Sequence, residues 1–122
     1  MSNDPTPALE GNWAPLHARL RGEAAPALVL RQTRLEIAGD HYRVTFNGAV
    51  VEEGKWEATA GLPQNVVFKS LAGPQAGRSL PAMVQQVGQR LRLCYGLDGH
   101  VPNSFSAEAG EDRYLVTYRR EE

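Results

Sequence analysis

At 122 residues, with 42% hydrophobic and 22% charged residues, the chain suits one soluble domain with a single core. Thirteen basic against fourteen acidic residues leave a net charge of −1, which offers no basic footprint for a nucleic-acid backbone. No apolar run approaches the ~20 residues that cross a bilayer, so no membrane span is expected.

Residues 1–8 carry Pro5 and Pro7 and read as a flexible leader. The start lacks the basic and apolar regions of a secretory signal, and Cys94 is the only cysteine. The expectation is a cytoplasmic protein, or a mature form whose signal has been removed. Residues 9–120 read as one domain and 121–122 as a solvated tail.

The domain begins on Gly11-Asn12-Trp13. A Gly, one spacer and a Trp open many small up-and-down barrels that hold ligands, the indole closing one end against an Arg of the last strand. Here that Arg is Arg119 or Arg120. The first strand, 12–21, has two faces: Trp13, Pro15, His17 and Arg19, or Ala14, Leu16, Ala18 and Leu20. Pro15 cannot donate to a ladder and marks an edge position or a bulge. A bulge would flip the strand and turn His17 and Arg19 to water. Pro26 then opens one or two helical turns over 26–31.

From there the pattern is successive hairpins. Strands are predicted at 34–38, 41–46, 50–58, 65–71, 78–87, 90–95 and 113–120. Asn47-Gly48 is the strongest turn signal, because both central residues of a type I′ turn need positive φ. The expected inward sets are Tyr42, Val44 and Phe46; Glu52, Gly54, Trp56 and Ala58; Val66, Phe68 and Ser70; Leu80, Ala82, Val84 and Gln86; and Leu91, Leu93 and Tyr95. In the last strand, Tyr114, Val116, Tyr118 and Arg120 share one face, Leu115, Thr117 and Arg119 the other, and alternation alone does not choose between them. Residues 96–112 form a long loop, and within it the stretch 101–105 has one large apolar residue, Phe105, which is expected to plug a barrel end. Eight short strands with at most one short helix after the first predict an all-β, eight-stranded antiparallel up-and-down barrel.

Five motifs in order carry a resemblance: Gly11-Asn12-Trp13, Ile37-Ala38-Gly39-Asp40-His41-Tyr42-Arg43-Val44, Val51-Glu52-Glu53-Gly54-Lys55-Trp56, Leu91-Arg92-Leu93-Cys94-Tyr95 and Pro102-Asn103-Ser104-Phe105-Ser106. Together they resemble an uncharacterised bacterial family of lipocalin-like domains of the calycin type, over about residues 9–120. Pro15, Pro81 and Gln86 depart from the family pattern. The resemblance implies a barrel akin to lipocalins and fatty-acid-binding proteins, and implies no reaction or ligand.

An eight-stranded barrel is just filled by its own side chains or holds one small ligand. Candidate ligand-binding residues are His17, Arg19, Tyr42, Glu52, Trp56 and Tyr95, polar groups or amphipathic rings in phase with the expected interior. An inward Arg would hold a carboxylate in bidentate fashion. Gly11, Trp13, Arg119, Arg120 and Phe105 are candidates for barrel closure. His17, His41 and His100 lack the spacing of metal ligands, and no catalytic motif is present, so neither metal, cofactor nor enzymatic activity is expected. The expected role is binding of a small, mostly apolar molecule, with a carboxylate-bearing one among the options. The alternative is a filled barrel that acts as an interaction module or homodimer through apolar outer residues such as Leu16, Leu20, Val67 and Leu115.

Overall fold

The computed structural model describes residues 9–59 and 62–121. The expected leader at 1–8 and the last residue of the expected tail lie outside these. Period-two alternation broken by Gly, Asn and Pro pairs folds as antiparallel hairpins, and the chain forms them in order. The elements are β1 (Gly11–Leu20), β2 (Glu23–Ala24), α1 (Ala27–Gln32), β3 (Thr33–Ala38), β4 (His41–Phe46), β5 (Ala49–Thr59), β6 (Leu62–Ala72), β7 (Ser79–Val87), β8 (Arg90–Gly96) and β9 (Arg113–Glu121). Each of β3 to β8 pairs with the next strand, β1 pairs with β3, and β9 returns to pair along β1. Eight strands therefore close into an up-and-down barrel, with the two-residue β2 as a flap on the end of β1. Closure removes the open sheet edges that invite aggregation.

The inward sets of β6, β7 and β8 match the alternation. Val66, Phe68, Ala82, Val84, Leu91 and Leu93 are all buried in one core. Phe46 departs from its set: beside the Asn47-Gly48 turn at the barrel's edge, it is 39% exposed. In β9 the ambiguity resolves with Val116 and Tyr118 inward.

β1 resolves by a bulge. Trp13 pairs with Arg120 and Pro15 with Tyr118, but His17 pairs with Thr117, so Leu16 is the extra residue. Before the bulge Trp13 and Pro15 face inward, and after it Ala18 does. Neither unbroken phase is therefore right. Pro15 explains the break, because its missing N–H leaves a gap in the ladder at that point.

The barrel has two unlike ends. At one, Trp13 is wholly buried and its Nε1–H donates to the Leu9 carbonyl at 2.9 Å. The Arg120 guanidinium lies 4.3 Å above the indole and also donates to the Glu10 carbonyl. A side chain at Gly11 would strike that guanidinium, which is why the residue two before the Trp is a glycine. Arg120, not Arg119, is thus the closing cation; Arg119 is exposed. Trp56 belongs to this end too, its Nε1–H donating to the Gly39 carbonyl at 3.0 Å.

Phe105, in the long loop 97–112, does not plug an end. Phe105 packs under the Arg92 guanidinium, 4.2 Å from it, and Arg92 lies between the inward Leu91 and Leu93. Phe105 therefore covers the outer wall of β8. The buried Cys94 is part of the same cover: its Sγ lies 3.5 Å from the Ser106 carbonyl oxygen. Burial pushes the thiol up, away from reactive thiolate. Among the described residues no helix is long and apolar enough to cross a membrane.

Candidate ligand-binding cavity

Opposite the Trp13 end the barrel is hollow. β3, β5, β7 and β9 begin here and β4, β6 and β8 end here, so their end residues ring a mouth. Inside it lies a cavity of about 230 Å³. Its wall includes Val44, Phe68, Leu80 and Leu97, the side chains of Thr33 and Gln75, one carboxylate, Glu52, and four tyrosines. Those four, Tyr42, Tyr95, Tyr114 and Tyr118, are every tyrosine in the chain. A shallower recess beside α1 shares Gln75, Leu97 and Tyr114 with the mouth.

The local sequence explains the convergence. Tyr114 and Tyr118 sit four apart on β9, hence on one face, and Tyr95 pairs directly with Tyr114 across β8 and β9. Their rings stack at 5.9 Å. Phe68 lies 5.2 Å from Tyr95 on one side and 5.2 Å from Tyr42, edge to face, on the other. An aromatic row therefore runs from β4 through β6 and β8 to β9.

Tyr42 has room because its cross-strand partner is Gly54. A Cβ at Gly54 would strike the Lys69 carbonyl and press on the Tyr42 ring, so the glycine lets β5 bend tightly onto β6 and seats the ring above it. Glu52 enters the same space opposite Val44, just before a register shift in β5.

Tyr42 Oη donates to Glu52 Oε2 at 2.7 Å. Burial pushes the Tyr42 hydroxyl above its ordinary range, and the bond to Glu52 and its charge push the same way. Burial likewise raises Tyr95 and Tyr118 well above that range, with Tyr114 shifted less. All four phenols hence stay protonated at neutral pH, as donors and as neutral rings.

Of the ligand-binding candidates read from sequence, the cavity gathers Tyr42, Glu52 and Tyr95. Trp56 is not in its wall, being engaged at the closed end. His17 and Arg19 are on the outer face, put there by the bulge, and Arg19 pairs with Glu108 at 3.4 Å. An inward guanidinium for a carboxylate is accordingly missing: the described wall holds no Lys, Arg or His. Tyr114 and Tyr118 were legible only as one of two faces of the last strand; their phase match with Trp13's partner Arg120 was the available signal.

A wider groove of about 500 Å³ runs along the outer wall past His41, Arg43, Glu53 and Leu71. Its one arginine is already paired, Arg43 Nε lying 3.5 Å from Glu53 Oε2, both half in solvent. The lumen, with an unmatched carboxylate among rings, is the better site.

No family model, curated protein or solved structure matches the chain. Fold and cavity define the class by themselves: a closed eight-stranded antiparallel β-barrel, consistent with a lipocalin-like fold, hollow at one end.

Proposed function

We propose that this protein is a lipocalin-like binding barrel that takes one small, mostly apolar molecule into its open end. The observation that carries the reading is the cavity itself. Packed interiors rarely leave voids larger than a water molecule, whereas this one leaves about 230 Å³ walled by aromatic and aliphatic side chains with a few polar groups at fixed positions. Such a surface orients a ligand by its hydroxyls and retains it by burial.

Thermal shift and native mass spectrometry against a panel of small neutral, cationic and anionic aromatics test it. Bound species are expected at one per chain, and Val44→Trp, which fills the cavity, is expected to abolish them. A panel without hits, or hits unaffected by Val44→Trp, would contradict the proposal.

Association of two copies is a second reading, favoured by one feature. Leu28 and Val29 of α1 and Phe46 and Val50 of the neighbouring hairpin are 56%, 40%, 39% and 49% exposed. The two elements are tied by Asn47 N–H donating to the Gln32 carbonyl at 2.8 Å. Light scattering after size exclusion would show a dimer, and a monomer at all concentrations would exclude it.

A further inference from the structure

We infer that the ligand of this cavity carries an ammonium group, held by Glu52 within the ring of tyrosines. The inference rests on the binding-barrel reading and specifies the charge of what binds. Glu52 is the only charged residue in the described wall, so the cavity has a formal charge of −1. Its only hydrogen-bond partner among the described residues is the Tyr42 hydroxyl, and it forms no ion pair there. A ligand that fills the mouth strips water from that carboxylate, which is costly unless a cation replaces the water.

The rings add to this. Ring faces attract cations, and cages of aromatic residues use this to recognise quaternary ammonium ligands. An anion would meet Glu52 and the electron-rich faces together. A neutral apolar molecule would leave the carboxylate desolvated and unmatched. Arg78, in the recess that adjoins the mouth, is engaged with Gln75 Oε1 at 2.7 Å and the Leu97 carbonyl at 2.8 Å. About 230 Å³ is below the ~300–1,000 Å³ of sites that take drug-sized ligands, so the fitting class is a single-ring amine.

Three probes of one shape separate the possibilities: phenethylammonium, phenethyl alcohol and phenylpropanoate, each titrated calorimetrically into the wild-type chain and into Glu52→Gln. Gln keeps an acceptor for Tyr42, so the variant is expected to fold, which circular dichroism checks. The ammonium is expected to bind wild type roughly tenfold or more tighter than the alcohol, the worth of a charge-assisted hydrogen bond. Glu52→Gln is expected to erase that preference while leaving the alcohol within about twofold. If the alcohol or the propanoate binds as tightly as the ammonium, the inference is overturned and the binding barrel stands. If none of the three binds, the inference is likewise overturned, and the wider panel decides the barrel's fate separately. Should Glu52→Gln not fold, the wild-type order of the three probes still decides.

Discussion

Removing Trp13 probes how the barrel is held shut. The indole is wholly buried, donates to the Leu9 carbonyl and lies under Arg120. Truncating a buried Trp costs roughly 3–5 kcal/mol, and orphaning the Leu9 carbonyl adds about 1 kcal/mol. Trp13→Ala is therefore expected to lose about 5 kcal/mol, a third or more of the stability of an ordinary domain. Arg120→Ala, which keeps the indole packed, is expected to lose about 1 kcal/mol for a partly exposed cation–π contact. In the Trp13→Ala background the same change loses its cation–π share, so a double-mutant cycle should return a coupling of about 0.5–1 kcal/mol. Urea unfolding followed by far-ultraviolet circular dichroism measures all four proteins. A Trp13→Ala midpoint within error of wild type, or a coupling of zero, would refute the indole and guanidinium as the clasp between the first and last strands.

Gly54→Ala is expected to cost about 1–3 kcal/mol by overpacking against the Lys69 carbonyl; it should also weaken phenethylammonium binding, because the Tyr42 ring is pressed aside. Stability with unchanged affinity would separate the glycine from the site. The tyrosines predict alkaline lability. Their folded pKa values are raised, so the fold binds protons that the unfolded chain releases above about pH 10. Stability is then complete below that pH and falls above it, by about 1.4 kcal/mol per pH unit for each phenol kept protonated. Phenolate absorbance should rise together with loss of circular dichroism, and four phenols ionising near pH 10 in an intact fold would contradict their burial.

Much of the architecture was legible because alternation and turn chemistry act locally. Leu91, Leu93 and Tyr95 alternate cleanly, and Asn47-Gly48 turns where expected, Asn47 itself taking a φ of 53°. What alternation cannot register is a one-residue slip. The bulge at Leu16 inverts the phase of the second half of β1, and with it the fate of His17 and Arg19. Phe105 was misplaced for another reason: a long loop's docking is decided by contacts with distant strands, here Arg92 and Cys94, to which its own sequence is blind. The cavity was half visible, through Tyr42, Glu52 and Tyr95. Its other half depended on which face of β9 turns inward, and that follows from pairing with β1 across the closure rather than from either strand alone.

The most direct test of the account is amide chemical-shift mapping with phenethylammonium added to the wild-type protein. The largest perturbations are expected at Tyr42, Glu52, Tyr95, Tyr114 and Tyr118, with Trp13 and Arg120 unmoved. Perturbations centred instead on the outer wall, around Arg43 and Glu53, would contradict a ligand site inside the barrel.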